Sequence, residues 1–548
     1  MDRVLKRRRL FAGVWALALL AGGAASGNDD PVIMQWFEAK WSDIERRVPD
    51  WYLAGYGGVW LPPPTKASST GSAGYDVWDR FDFGRPGSET AYGTDQGFRA
   101  VLGEFHQANG QVYIDAVLNH DSGRNGSAAF QAAGGYPGFW MAPATPPVNK
   151  TPTSNWGDFH NGNASGYYQS ENPNGSNYDL YRGDLVGLVD LAHESNNVFI
   201  RQPAAAGNPQ NIPAGTTWNL PDPANTRCYP DRQLTPMAVT NPGTSRNPGV
   251  NHFTFYPFGP DPATGDPVAD NGTGMLMRWE QMMLDVYRVD GFRLDAAKHV
   301  PSWFWDTYFD AVAYQRRILP DGRRVTPFSF CESVESNANI YGISVRKDAF
   351  ANRDALDING SGSLRDLVSA GGLGTWLTPL ANHLDNADDG DNDGSLGVNH
   401  VYSHDNGTAG DGGSAPPEPT TRQMGYFANA YVLMRPGVAN LYHNARGISR
   451  PGGFWPRAGI TTTLGVNPAT NVVDRTFPTL VGLHNAYGRG VWNVLNATDP
   501  VNQSFDDVLI FERRAWTGSA WSAHVLAGFS DSYNAGVDWR SLLEAEPA

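Results

Sequence analysis

The sequence predicts an α/β protein built as a (β/α)8 TIM barrel, and three observations point there. Short apolar runs recur along the chain with little polar alternation, as in strands buried on both faces of a parallel sheet. Helical patterns lie between several of these runs. Four of the runs end in similar polar residues, which is where a barrel of this type displays reactive side chains. A doubly wound sheet is the alternative, but no G-x-G-x-x-G follows the first run.

The elements follow in order. Runs at 32–37 (VIMQWF), 58–61 (GVWL), 111–118 (QVYIDAVL), 289–294 (VDGFRL) and 328–331 (FSFC) read as strands one to five, and 398–402 (VNHVY) as the seventh. Over 275–287, Leu276, Trp279, Met283 and Val286 recur at helical spacings of three and four. Weaker helical patterns occupy 376–384 and 477–487, and strand-like pieces follow at 507–511 and 524–529. Between the third and fourth strands lies a stretch rich in Gly, Asn, Pro and aromatics, too long for a plain loop. The expected organisation is therefore a barrel over 28–120 and 196–490, interrupted by an inserted domain at 121–195 and a long insertion at 196–272. A short C-terminal β domain at 491–548 completes it.

Composition narrows the function. Apolar residues make up 41% of 548, enough for a sizeable core, while charged residues reach only 18% with a net charge of −15. No excess of Lys and Arg exists to neutralise phosphates, which argues against a nucleic-acid partner. Aromatics at 12% are compatible with a neutral polymer gripped by ring faces. Residues 1–27 read as a secretory signal: Arg3, Lys6, Arg7, Arg8 and Arg9, an apolar run over 10–20, then small residues. A secreted or periplasmic protein is expected, by the Sec route rather than the twin-arginine route that Arg8-Arg9 also suggests. No later segment is long and apolar enough to span a membrane, and a monomer is expected. Cys228 and Cys331 are the only cysteines, and Cys331, inside an apolar run, is expected as a buried free thiol.

The strand ends carry the chemistry. They read Asp115-Ala-Val-Leu-Asn119-His120, Gly291-Phe-Arg293-Leu-Asp295-Ala-Ala-Lys298-His299, Phe330-Cys331-Glu332 and Tyr402-Ser403-His404-Asp405. Residues two apart share a strand face, so Arg293 and Asp295 point together while Phe292 and Leu294 face the helices. A guanidinium beside Asp295 is expected to lower its pKa, as suits a carboxylate nucleophile. Glu332 closes an apolar run, where partial desolvation suits a general acid. Two carboxyl groups with separated roles are what glycoside hydrolysis requires. Taken singly, each of these residues could be a cap or a satisfied core group; four matching strand ends are harder to explain by packing.

These motifs resemble those of the α-amylase family of glycoside hydrolases, over roughly 31–490. The resemblance implies an enzyme acting on α-glucan polysaccharide, with Asp295 as nucleophile, Glu332 as acid/base and Asp405 stabilising the transition state. It places Arg293, His120 and His404 in the reacting subsite, Tyr75 (in GYDVWD) stacking on the sugar there, and Lys298 and His299 on the leaving-group side. It also implies a structural Ca²⁺ held by Asn119, Asp190 and the His299 carbonyl, with Asp184 a further ligand; oxygen donors suit this ion. Chloride-activated members carry Asn where this chain has Ser403, so a chloride site is not expected. Trp36, Trp60, Trp78, Trp140 and Trp156 are further candidates for stacking on glucose rings. The acidic run 385–394 starts like a calcium loop, but His400 stands at its twelfth position, so it reads as a solvated loop. Besides retaining hydrolysis of internal α-1,4 bonds, transglycosylation by the same site and a non-catalytic glycan-binding barrel remain open.

Overall fold

A computed structural model describes residues 31–122, 135–136, 139–140, 159, 188–191, 193, 199–201, 241–247, 268–270, 272–370, 374–384, 397–405, 420–444, 476–488, 490–495, 508–516 and 518–530. The signal segment, Asp184, Cys228, Trp156, the run 385–394 and most of both insertions lie outside these residues, as does the Trp140 side chain.

Eight parallel strands form the centre: β1 Ile33–Phe37, β2 Gly58–Leu61, β3 Gln111–Ala116, β4 Gly291–Leu294, β5 Phe328–Cys331, β6 Asn352–Ala355, β7 Val398–Asn399 and β8 Val438–Asn444. Each pairs in parallel with its sequence neighbour from β1 to β6, β7 pairs with β8, and β8 returns to β1. The ends of the order meet at a parallel bridge between Leu356 and Val398, where the Asp357 amide donates to the Val398 carbonyl at 3.0 Å. The sheet thus curls back on itself. Gly291 allows the tightest approach in it, since a Cβ there would lie 1.8 Å from the Phe328 carbonyl oxygen.

Strand alternation sorts the core into two layers. Ile33, Phe37, Trp60, Tyr113, Phe330, Leu356, Val398, Val438 and Tyr442 pack together inside the ring. Met34, Trp36, Val59, Leu61, Val112, Ile114, Phe292, Leu294 and Cys331 face outward into the larger core shared with the helices. Helix α1 (Trp41–Leu53) contributes Trp41, Ile44, Val48 and Trp51 to it. Helix α2 (Asp95–Gln107), capped by the Thr94 side chain on the Gly97 amide, contributes Phe98, Val101, Leu102 and Phe105. The expected helix at 275–287 is α3 (Gly272–Met282), whose last part widens to a π-helix over Met283–Tyr287 and stops at Arg288 with φ 59°. The C-terminal part forms an antiparallel sheet of β9 Val491–Val494, β10 Val508–Trp516 and β11 Trp521–Ser530. Phe529 of β11 meets Trp376 and Tyr431.

The strands β6 and β8 have no counterpart among the apolar runs. Arg353 and Asp354 are buried in β6, Asn440 and His443 in β8. The β6 charge is neutralised from outside the ring: Arg353 pairs with Asp306 at 2.6 Å and with Asp310 at 3.2 Å. Asp306 also receives Arg246 and Asn247, which docks the segment 241–247 of the long insertion onto the barrel. Burial would raise the Asp306 pKa, but Arg246 and Arg353 hold it well below the usual carboxylate range. The insertion's described ends, Phe199–Arg201 and Val268–Asp270, pair antiparallel.

Candidate active site

The candidate residues gather at the C-terminal ends of β3, β4 and β5. Alternation turns Asp115 and Arg293 into the ring, and parallel pairing sets them side by side, Asp115 opposite Arg293. Beyond β4 the chain turns sharply at Ala296, in the left-handed region at φ 47°, a backbone cost that the surrounding bonds must hold in place. The Asp295 amide donates to the Ala116 carbonyl, and the Ala296 amide donates to Glu332 Oε2 at 3.0 Å. The first bond ties the end of β4 to β3, and the second ties it to the end of β5 through the Glu332 carboxylate.

Arg293 is the hub. Its Nη1 donates to Asp115 Oδ1 at 2.8 Å and to Asp295 Oδ1 at 2.5 Å, and its Nη2 lies 2.9 Å from Glu332 Oε2. The guanidinium also lies over the Trp60 ring, 5.3 Å from its centroid. The Arg293 side chain is 1% exposed, Asp295 9% and Glu332 21%, so Arg293 and Asp295 are buried and Glu332 is the more open of the two acids. Asp115 accepts two more bonds on its other oxygen, from Tyr75 Oη at 2.7 Å and Trp60 Nε1 at 3.1 Å.

Three carboxylates share one guanidinium, and this corrects the expectation for Asp295. Burial raises its pKa; Arg293 opposes this, but Glu332 and Asp115 add to the rise, leaving it well above the ordinary value. Asp115 is likewise pushed up to about 6 by burial, against the pull of Arg293. Retaining a proton is therefore a property of the cluster as a whole.

The histidines form the facing wall. His120 Nε2 lies 3.1 Å from the Tyr75 carbonyl and 3.8 Å from Asp295 Oδ2. His404 Nε2 lies 3.3 Å from Asp405 Oδ1. Burial, with Arg293 nearby, pushes both imidazoles down to about 3, so both are neutral hydrogen-bonding groups at physiological pH. Asp405 is 57% exposed on its side chain and shares no ion pair or hydrogen bond with Asp295 or Glu332 among the described residues. It stands at the same mouth, near enough for its charge to act on Tyr75. The Tyr75 ring stacks on His404 at 5.0 Å and 7°, which occupies one of its faces. Trp36 and Trp60 are fully buried, one in the outer core and one inside the ring, and offer no face to a sugar. Lys298 and His299 lie half-buried on the short turn after β4.

Asn119 and Asp190 lie on adjoining segments. His120 pairs with Asp190 across a two-stranded ladder, and the Leu191 amide donates to the Asn119 carbonyl at 2.8 Å. Both side chains are buried, and His299 acts electrostatically on His120 beside them. Among the described residues no cluster of three or more His, Cys, Asp or Glu could hold a metal. A cation here would thus rely on amide and carbonyl oxygens as well as carboxylate, the donor set of a hard ion.

Some participants had no assigned role from sequence. Asp115 opens the first motif and proves to anchor Arg293, Tyr75 and Trp60. Gln35, the one polar residue of the run VIMQWF, lies in the ring against His404. A polar residue inside an apolar strand was the available signal for it.

The fold and site together define a parallel β/α-barrel protein with a carboxylate–guanidinium cluster at its C-terminal strand ends. No family model matches the chain. It is 32% identical to pancreatic α-amylase of Sus scrofa over 171 residues, covering 30% of this chain and 32% of that protein. It is 32% identical to the α-amylase of Bacillus licheniformis over 130 residues, covering 21% and 25% respectively. These matches span a third or less of each relative. The crystal structure of a γ-CGTase from alkalophilic Bacillus clarkii shares the fold, with a TM-score of 0.51 at 15% identity over 90% of this chain and 56% of that one. Over these stretches the chain is similar to α-amylases.

Proposed function

We propose that this protein is a secreted retaining hydrolase of internal α-1,4-glucosidic bonds in starch, glycogen or maltooligosaccharides. The observation that carries the reading is the bridging of Asp295 and Glu332 by the two Nη groups of one guanidinium, at adjacent strand ends. A pair bridged so closely suits the ~5–5.5 Å separation of retaining glycosidases rather than the wider ~6.5–9.5 Å that admits a water between inverting acids. The α-amylases among its relatives support the substrate class.

Asp295 attacks the anomeric carbon as Glu332 gives a proton to the glycosidic oxygen, and the carbon–oxygen bond breaks. The sugar is then held as an ester of Asp295 with inverted configuration. Glu332 takes a proton from water, the water oxygen attacks the same carbon, and the α-product leaves with Asp295 restored. His120 and His404 offer neutral hydrogen bonds to sugar hydroxyls, Asp405 clamps hydroxyls from the exposed rim, and Lys298 and His299 line the leaving-group side. Early products from soluble starch, pullulan and maltooligosaccharides, read by proton NMR, are expected as short linear α-anomers. Initial β-anomer would overturn retention, and cyclic or lengthened glucans would replace hydrolysis by transfer.

A structural Ca²⁺ belongs to the same reading, held by Asn119, Asp190, the His299 carbonyl and Asp184. Asn119 and Asp190 are both buried and carry oxygen donors on adjoining segments, Asp190 opposite His120 and the Asn119 carbonyl bonded to the Leu191 amide, which supports it. Bound, the ion would tie the inserted domain to the barrel. Chelation is expected to lower the thermal midpoint, by the equivalent of about 2.7 kcal/mol for an ion present at 100 times its Kd. Ca²⁺ should restore the midpoint and Mg²⁺, which resists dehydration, should not. An unchanged midpoint after chelation would remove the metal from the proposal.

A further inference from the structure

Gln35 is completely buried in β1, and its Oε1 finds no hydrogen-bond partner among the described residues. An orphaned buried oxygen is costly, so packing alone would favour an apolar residue, as at Ile33 and Phe37 on the same face. The other end of the amide explains its presence: Gln35 Nε2 lies 2.8 Å from His404 Nδ1. The imidazole it meets cannot easily turn. Phe37 stacks on it at 4.8 Å and 18°, Tyr75 at 5.0 Å and 7°, and Trp60 presents an edge at 5.9 Å. Tyr75 is itself fixed by its bond to Asp115.

The proton positions follow from the partners. Asp405 Oδ1, 3.3 Å from His404 Nε2, accepts and does not donate as a carboxylate, which favours the proton on Nε2. In the neutral ring Nδ1 then has only a lone pair, which needs an N–H donor. The Gln35 amide nitrogen is the donor beside it.

We propose that Gln35 is a positioning residue for the reaction: its amide N–H holds His404 as the Nε2–H tautomer and aims the single imidazole proton at the Asp405 side of the mouth. The role in catalysis rests on the α-glucan reading; the tautomer does not. Without this donor the ring could take either tautomer, and half of its orientations would present a lone pair where a sugar hydroxyl or Asp405 needs a proton.

The groups that act on His404 come from several elements. Asp405 is on its own loop, Tyr75 follows β2, Arg293 is on β4, Glu332 follows β5 and His400 follows β7. Burial and Arg293 keep the ring neutral.

The test uses the full-length protein labelled with ¹⁵N-histidine, with His404 identified by difference from His404→Gln. The wild-type ring is expected to show the neutral Nε2–H pattern throughout pH 5–8. In Gln35→Leu the tautomers should mix, with kcat on soluble starch falling roughly tenfold or more and KM little changed. Gln35→Glu places an acceptor on Nδ1. The ring should then take a second proton and show imidazolium in that window, with a new limb in the pH profile of kcat. A wild-type Nδ1–H tautomer, or a Gln35→Leu protein that keeps both Nε2–H and wild-type kcat, would overturn the proposal. Should Gln35→Leu fail to fold, the wild-type tautomer and Gln35→Glu still decide it. Wild-type protein that leaves starch intact would end the functional reading while leaving the tautomer result standing.

Discussion

Asp295→Asn is expected to reduce kcat on soluble starch on the order of 10⁴-fold or more while leaving the fold intact. Asparagine has nearly the same shape and its amide oxygen can still accept from Arg293 Nη1, now 2.5 Å from Asp295 Oδ1. It cannot carry the sugar as an ester, because a neutral amide is a poor nucleophile. The stability of the variant sharpens the test. Burial and two neighbouring carboxylates oppose ionisation of Asp295, so its charge costs the folded state free energy at neutral pH. Removing that charge should leave the thermal midpoint at pH 7 unchanged or raised. Activity within tenfold of wild type in a folded variant would refute Asp295 as nucleophile.

Arg293→Met should show the largest effect on stability. Methionine fills comparable space, but it leaves Asp115, Asp295 and Glu332 without their shared cation. Breaking a buried pair by removing one partner typically costs about 3–5 kcal/mol. The sign of the pH dependence is fixed by the carboxyls. Their folded-state pKa values are already raised, Asp115 to about 6 and Asp295 well above its ordinary value, and losing Arg293 raises them more. A carboxyl raised in the folded state stabilises it below the unfolded value and loses that contribution as pH rises through the folded one. The deficit of Arg293→Met against wild type should therefore be greatest above pH 7 and shrink toward pH 4. Thermal midpoints across pH 4–8 measure it; a deficit independent of pH would mean that Arg293 acts through packing alone.

Legibility in the sequence followed the way each strand is buried. β1 to β5 and β7 read as apolar runs because both their faces meet apolar groups. β6 did not, because Arg353 is made tolerable there by Asp306 and Asp310, more than forty residues earlier in the chain, and Asp354 by the side chain of Lys347. β8 was hidden in the same way by Asn440 and His443. The pairing of Arg293 with Asp295 was readable from the two-residue period. The direction of the Asp295 pKa was not, since it depends on Asp115 and Glu332 arriving from neighbouring strands. The stacking of Tyr75 on His404 was not readable, because His404 comes from the loop after β7, three strands round the sheet from β2.

By itself the sequence determined which polar side chains stand at the strand ends: strand period and residue type place acids, histidines and one arginine there, and those are local properties. Only the tertiary structure decided how they share charge and protons. Three carboxylates fall on one guanidinium, and a glutamine from the first strand meets a histidine from the seventh strand's loop, because closure of the sheet brings β1, β4, β5 and β7 around a common interior. Electrostatic and hydrogen-bond energies depend on those distances through space, which no spacing along the chain encodes.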